Sequence, residues 1–189
     1  MPGTIPVPLD VQIPQGWQPA PPDEVGAPNA AFVALHMASH GQGFMPNITV
    51  TGRALEGAEN LESLAEGAVQ RLRETVGAVE IVKRAEVGTS PAPGLISAPG
   101  IVQNLYVQAT VNGQPMELAQ SQFILVLDDE QQSGERVEIE VALTAKRSQL
   151  GEVIEDFQDF LSSLSPAPPS PEVQAAREAE KKWNKDDFG

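Results

Sequence analysis

Hydrophobic and polar residues alternate with a period of two over residues 101 to 145, and this pattern predicts three consecutive antiparallel strands. Asn112 and Gly113 lie between the first two strands. Both residue types accept positive φ, so a two-residue hairpin turn is predicted there. Such a turn fixes the register, and Val111 is expected opposite Gln114. The further predicted pairs are Val107 with Leu118, Tyr106 with Ala119, Leu105 with Gln120, and Gln103 with Gln122.

The predicted register divides the hairpin side chains between two faces of the sheet. One face carries apolar residues and three glutamines, namely Ile101, Leu105, Val107, Met116, Leu118, Ile124, Gln103, Gln120 and Gln122. The other face carries Val102, Tyr106, Phe123, Leu125 and Leu127. After a polar turn at residues 128 to 134, the third strand alternates Val137, Ile139, Val141 and Leu143 with Glu138 and Glu140. This alternation predicts a half-buried strand whose two glutamates face water.

Further strands are predicted before the hairpin. Residues 5 to 13 alternate apolar residues with prolines on one side, which is typical of an edge strand. A turn then brings Trp17 onto the sheet, where an indole is expected to fill the core. Residues 31 to 35 are continuously apolar and predict a central strand, with residues 44 to 51 as its antiparallel partner. Residues 78 to 87 predict one more strand.

Two stretches change to the 3.6-residue period of a helix. The first has Asn60 as its expected N-cap and ends at Gly77. The second is expected to be capped by Ser148 and carries a stripe of apolar residues, namely Leu150, Val153, Ile154, Phe157, Leu161 and Leu164. A proline-rich linker at residues 165 to 171 follows, and then a charged tail at 172 to 189. Residues 1 to 164 are thus predicted to form one domain.

Composition narrows the classes of partner. The chain of 189 residues has 26 acidic and 12 basic residues, and its net charge of −14 repels nucleic-acid phosphates and anionic lipid heads. Neither nucleic-acid binding nor insertion into a membrane is expected. The sequence contains no cysteine, which excludes disulfides, thiolate nucleophiles and the acceptor residue of a lipoprotein. Residues 1 to 6 have no basic and apolar signal pattern, so a cytoplasmic protein is expected.

Candidate chemistry is sparse. His36 and His40 are four residues apart, but they fall at a strand end and in a turn without a third ligand, which favours surface histidines over a metal site. The acidic run Asp128-Asp129-Glu130 lacks the glycine and the distant glutamate of a calcium loop. No serine lies in a Gly-x-Ser-x-Gly elbow, and no phosphate loop is present. We therefore expect no catalytic residue, no metal and no cofactor, and the protein is predicted not to be an enzyme.

Three glutamines on an otherwise apolar face allow two interpretations. Gln103, Gln120 and Gln122 could lie at the rim of the sheet, where twist brings them to water. Alternatively, they line an uncovered surface that hydrogen-bonds a protein partner, with Tyr106 or Phe123 anchoring a neighbouring patch. These five residues are the candidate partner-binding site.

The order of elements resembles the PsbP/DcrB-like superfamily, and within it the actinobacterial proteins related to LpqN lipoproteins. The likeness covers about residues 5 to 164 and is carried by four segments, namely Ile13-Pro14-Gln15-Gly16-Trp17, Phe32-Val33-Ala34-Leu35, Pro46-Asn47-Ile48-Thr49-Val50 and Phe157-Gln158-Asp159-Phe160. It implies an α+β fold, an α/β/α sandwich in which an antiparallel sheet of six or seven strands has helices packed on both faces. It also implies a non-enzymatic function.

The resemblance favours one functional hypothesis, since its members include envelope lipoproteins, photosystem subunits and chaperones that shield apolar segments. This first hypothesis is a cytoplasmic protein-binding module, an adaptor or chaperone for a secreted or membrane-associated protein partner. A second hypothesis, from another class, is a carrier of a small ligand, with its pocket between sheet and helix. The sequence leaves the partner and the oligomeric state open.

Overall fold

The computed structural model describes residues 9–57, 59–87, 99–129 and 135–166. The elements in chain order are β1 (Leu9–Asp10), β2 (Trp17–Pro19), β3 (Phe32–His36), β4 (Asn47–Leu55), α1 (Leu61–Val76), β5 (Ala78–Val87), β6 (Gly100–Val111), β7 (Gln114–Asp129), β8 (Glu135–Lys146), α2 (Leu150–Ser163) and β9 (Ser165–Pro166). Seven strands form one antiparallel sheet in the order β2-β3-β4-β8-β7-β6-β5, and β1 pairs with β9. The predicted α+β architecture is confirmed.

The β6–β7 hairpin has the register that the sequence predicts. Asn112 and Gly113 form its turn with φ of 51° and 77°. Every predicted pair is present, from Val111 opposite Gln114 back to Gln103 opposite Gln122. A slip of one residue would move each side chain to the opposite face, so this turn decides which residues are buried on which side of the sheet.

Helix α2 covers one face of the sheet, which we call the α2 face. Its Phe157 and Phe160 are fully or almost fully buried against Phe123 of β7 and the apolar side chains of β8. Trp17 is buried in the same cluster, as predicted, and its indole Nε1 donates a hydrogen bond of 2.8 Å to Oδ2 of Asp156. This hydrogen bond satisfies the one polar group of the buried indole and attaches β2 to α2.

Helix α1 packs on the opposite side, which we call the α1 face. Its buried residues Leu64 and Val69 contact apolar side chains of β6 and β7, including Ile101 and Leu105. Both predicted ends are confirmed. Asn60 Oδ1 accepts from the backbone N–H of Ser63 at 2.8 Å, and the helix ends at Gly77, whose φ of 103° favours glycine. Helices therefore pack on both faces, as expected.

Several boundaries differ from the predictions. Of residues 9 to 13 only Leu9 and Asp10 form a strand, while residues 1 to 8 lie outside the described part of the chain. Strand β4 begins at Asn47 and not at residue 44. The prediction of Ser148 as an N-cap is wrong, because α2 begins at Leu150 after Gln149. The Gln149 side chain instead accepts from the backbone N–H of Lys146 at 3.0 Å.

The predicted linker begins inside the described structure. Ser165 and Pro166 pair with Asp10 and Leu9, so the first two linker residues form β9. The rest of the linker and the predicted tail, residues 167 to 189, lie outside the described residues. Residues 130 to 134 of the predicted polar turn also lie outside them.

Candidate ligand-binding cleft

A polar cleft of about 510 Å³ lies between α1 and the sheet. Helix α1 packs mainly over β5, β6 and β7, so the neighbouring strands β8 and β4 are left to form the floor of this cleft. The floor carries Thr49 and Thr51 from β4 with Glu138 and Glu140 from β8. Because cross-strand partners point to the same side, the register places these four side chains together on the α1 face.

Glu138 lies at the bottom of the cleft and is only 3% exposed. Its neighbour across the strands is Arg53, whose Nε is 2.6 Å from Oε2 of the carboxylate. Among the described residues neither oxygen of this carboxylate receives a hydrogen bond of acceptable geometry, so the contact of Oε2 with Arg53 counts as an ion pair only. Burying an ionised group without hydrogen bonds is costly, so the Glu138 carboxylate is an unsatisfied acceptor at the floor of the cleft.

Glu140, two residues further along β8, has an arginine of its own. Nη2 of Arg71 reaches down from α1 to within 3.2 Å of Oε2 of Glu140. Burial raises the pKa of Glu140 above its ordinary value, the charge of Glu138 adds to this, and Arg71 acts in the opposite direction. The carboxyl of Glu140 therefore holds its proton more tightly than an exposed glutamate does.

The prediction that both glutamates face water is wrong for Glu138, which is buried, and Glu140 is mostly buried as well. Their strand β8 is the fourth of seven, with β4 on one side and β7 on the other. Side chains that alternate away from the α2 face thus meet the walls of a cleft and not bulk water. Alternation shows which residues share a face, but it does not show what covers that face.

The three glutamines form a hydrogen-bonded row across the α1 face, and two of them, Gln120 and Gln122, line the cleft. Arg84 Nε donates to Oε1 of Gln103 at 2.9 Å, and Nε2 of Gln103 donates to Oε1 of Gln122 at 2.6 Å. Gln122 in turn donates to Gln120 at 2.5 Å, and Gln120 donates to Oγ1 of Thr144 at 2.8 Å. The row joins β5, β6, β7 and β8. Each amide donates to its neighbour, so Gln103 and Gln122 are buried without loss of hydrogen bonding.

The structure separates the five predicted partner-binding residues. Gln103, Gln122 and Phe123 are buried, so the interpretation that places the glutamines at a wet rim is wrong for the first two. Gln120 is half-buried and lines the cleft. Tyr106 is half-buried on the α2 face, away from the glutamines, with the guanidinium carbon of Arg147 3.8 Å from its ring centre. Contact of these residues with a protein partner stays a prediction.

The histidines do not meet at one site. Nδ1 of His36 is 2.8 Å from Oγ of Ser39, and the His36 ring is 5.1 Å from that of Trp17. His40 is exposed. Over residues 9–57, 59–87, 99–129 and 135–166 there is no group of three side chains placed to hold a metal ion. Asp128 and Asp129 end β7, and Glu130 lies outside these ranges.

Sequence reasoning missed the two arginines of the cleft. Thr49, Thr51 and Arg53 follow one another at intervals of two residues along β4, so they form a polar series on one face of this strand. That signal could have been combined with Glu138 and Glu140 only if the pairing of β4 with β8 were known. These strands are about 80 residues apart in sequence, and no local turn connects them.

No family model matches the chain, and no curated protein matches it. Solved structures do. The chain is similar to LpqN, a protein involved in cell envelope biogenesis of Mycobacterium tuberculosis, with a TM-score of 0.61 and 12% identity over 89% of each chain. It is also similar to the PsbP protein CyanoP of Synechocystis sp. PCC 6803, with a TM-score of 0.51 and 10% identity over 85% of this chain and 94% of that one.

These likenesses define the class of fold: an α+β protein with a seven-stranded antiparallel sheet of the PsbP type. Within that class the fold is related to that of LpqN. At 10 to 12% identity these comparisons establish the fold of the chain but not its function. Among the described residues, no helix has the length and apolar character needed to cross a membrane.

Proposed function

We propose that this protein is a non-enzymatic binding module and that the cleft between α1 and strands β4 and β8 is its ligand site. The observation that carries this proposal is Glu138, a buried carboxylate at the cleft floor whose two oxygens receive no hydrogen bond from the described residues. Buried polar groups are nearly always hydrogen-bonded, and an exception inside a cleft indicates a place for a ligand group. This is the small-ligand carrier, the second of the two hypotheses from sequence.

The size and construction of the cleft agree with this function. A volume of about 510 Å³ lies within the range of small-molecule sites, about 300 to 1,000 Å³. The floor is built on β4 and β8, central strands that are hydrogen-bonded on both sides, and the glutamine row fixes the adjacent side chains. A floor of this kind presents polar groups in fixed positions, which lowers the entropy lost on binding.

The same geometry favours binding over catalysis. Glu138 and Glu140 are each engaged by an arginine, Arg53 and Arg71 respectively, so neither carboxylate is free to act as a general base without breaking an ion pair. Groups arranged as charge pairs around a cleft are suited to exchanging partners with a charged ligand.

A thermal-shift screen against a panel of metabolites tests the proposal. A ligand of the cleft raises the melting temperature in a saturable manner, because it binds only the folded state. In Thr51→Trp the new indole fills the cleft from β4, so the shift should disappear. Thr110→Trp is the matched control, since Thr110 is exposed on β6 and does not line the cleft. Equal shifts in both variants would place the ligand elsewhere.

A protein-binding module, the first hypothesis from sequence, is the second candidate. The pair of Arg147 over Tyr106 favours it, because arginine and tyrosine are enriched at binding hot spots and this pair lies beside a surface depression of about 220 Å³. An adaptor or chaperone would dock here. In a pull-down from the native cell, Tyr106→Ala should lose a partner that Thr51→Trp retains. The reverse result would assign the partner to the cleft.

The cytoplasmic location stays a prediction. Cell fractionation with detection of the native protein tests it, and recovery in an envelope fraction would contradict it.

A further inference from the structure

The unsatisfied carboxylate of Glu138 specifies one part of the ligand. An acceptor-only carboxylate that is 3% exposed requires an N–H or O–H donor, and the strongest partner available is a positively charged one. An ammonium group at this carboxylate would supply both the hydrogen bond and the opposite charge. The protein's net charge of −14 also concentrates cations near its surface.

The arginines specify a second part. Arg53 and Arg71 lie on opposite walls of the cleft, one on β4 and one on α1, and their side chains are 46% and 54% exposed. Arg53 contacts two carboxylates, Glu138 through Nε and Glu59 through Nη2 at 3.5 Å, and Arg71 contacts Glu140 through Nη2. A guanidinium has five N–H donors, so each arginine keeps donors for a further acceptor. A carboxylate is the group that matches a guanidinium best, since two parallel hydrogen bonds can form between them.

The charges that line the cleft are balanced, with Arg53 and Arg71 against Glu138 and Glu140, while the carboxylate of Glu59 pairs with Arg53 at 3.5 Å from outside the lining. A ligand that brings one charge of either sign would leave an excess charge in a partly buried site. A ligand with one positive and one negative group keeps the balance. Its ammonium group would go to the floor and its carboxylate to the walls.

We propose that the cleft binds a small zwitterion of the α-amino-acid type, with its ammonium on the carboxylate of Glu138 and its carboxylate on Arg53 and Arg71. This inference rests on the proposed ligand-binding function and adds the chemical class of the ligand. Both oxygens of Glu138 are buried and Oε2 is ion-paired with Arg53, so the ligand carboxylate draws this guanidinium away while the ammonium takes its place on Glu138. Binding is an exchange of ion-pair partners and requires both charges on one molecule.

Isothermal titration of the full-length protein with each of the twenty common L-amino acids tests the proposal. We expect saturable binding of at least one. The N-acetyl and the carboxamide derivatives of the best binder, which each lack one charge, should bind about tenfold or more weakly, because each loses a charged hydrogen bond. Binding of a derivative as tight as that of its parent would overturn the proposal, as would failure of all twenty to bind.

Two matched variants test whether Glu138 contacts the bound amino acid. Glu138→Gln keeps the shape of the side chain but removes its charge, and should weaken binding of the same amino acid about tenfold or more. Glu155→Gln, on the exposed side of α2, should bind as the wild type does. Unchanged binding in Glu138→Gln would contradict the assignment.

Thermal unfolding of each variant shows whether it is folded. Arg53→Gln changes the other partner of the same ion pair and gives a second test of amino-acid affinity. Its affinity should fall as well, and unchanged affinity would contradict the exchange of partners. If no amino acid binds while the metabolite screen yields a ligand that Thr51→Trp abolishes, the zwitterion is wrong and the cleft remains the binding site.

Discussion

The two faces of strand β8 illustrate how one strand can serve both stability and binding. On the α2 face, Val137, Ile139, Val141 and Leu143 are fully buried in the largest apolar cluster of the described residues. On the α1 face the same strand presents Glu138 and Glu140 to a cleft. Helix α2 packs directly on β8, whereas α1 lies over β5 to β7. The position of a helix over the sheet thus decides which face becomes core and which becomes a site.

The two faces also differ in the number of polar groups that they bury. The α2 face buries few polar groups, and two of them are paired: the indole nitrogen of Trp17 with Asp156, and Oγ of Ser121 with Oδ1 of Asn104. The α1 face buries Gln103, Gln122 and Glu138, and it links the two buried glutamines with the half-buried Gln120 in a single row. Such a row is stable only if every member is satisfied, so the α1 face depends on specific hydrogen bonds where the α2 face depends on packing.

The largest effect should come from removing a large side chain on the α2 face. Phe123→Ala leaves a cavity under α2 and should lower the free energy of unfolding by about 3 to 5 kcal/mol, measured by urea denaturation. Tyr106→Ala, at a half-buried position on the same face, is the control and should lose less. A loss below about 1 kcal/mol for Phe123→Ala would contradict its place in the core and return it to the candidate binding residues.

A smaller effect should come from interrupting the row on the α1 face. Gln122→Leu leaves Nε2 of Gln103 without its side-chain acceptor and Oε1 of Gln120 without its donor, so the free energy of unfolding should fall by about 1 to 3 kcal/mol. Gln108→Leu, on an exposed part of β6, serves as the control. If the two variants are equally stable, the row contributes nothing to the stability of this face.

The smallest effect concerns pH. The folded-state pKa of Glu140 is raised above about 4.5, so between that value and the raised pKa the folded protein binds more protons than the unfolded chain. The contribution of Glu140 to stability is therefore complete below this window and falls as pH rises through it, by at most about 1.4 kcal/mol per pH unit. Glu140→Gln lacks this decline, so its stability relative to wild type should rise with pH.

Urea denaturation of wild type and Glu140→Gln from pH 4 to pH 8 measures this difference. Glu155→Gln is exposed and should follow the wild type at every pH. A constant difference between wild type and Glu140→Gln across the range would show that burial does not perturb this carboxyl.

Much of the fold could be predicted because its signals are local. Asn112-Gly113 specifies a turn by its own backbone preferences, and that turn fixes the register of the β6–β7 hairpin without reference to the rest of the chain. Asn60 and Gly77 delimit α1 in the same way. The N-cap of α2 could not be predicted, because the side chain of Gln149 makes tertiary contact with Phe44 of the loop before β4.

The candidate site could be predicted only in part. The sequence placed Gln103, Gln120 and Gln122 on one face, and the structure does bring them together. The sequence pattern predicted that Glu138 and Glu140 face water. That prediction failed because alternation along a strand does not show which strand lies beside it or which helix lies above it. Their arginine partners come from β4 and from α1.

The amino-acid sequence by itself determined the secondary structure, the hairpin register and the division of side chains between two faces, since these depend on backbone preferences and on the period of the hydrophobic pattern. Only the tertiary structure decided the strand order and the position of α1 over β5 to β7. Because of those two features, the polar side chains of β4 and β8 form the floor of a cleft that contains a buried carboxylate without hydrogen bonds from the described residues. They result from contacts between segments distant in sequence, which no local pattern encodes.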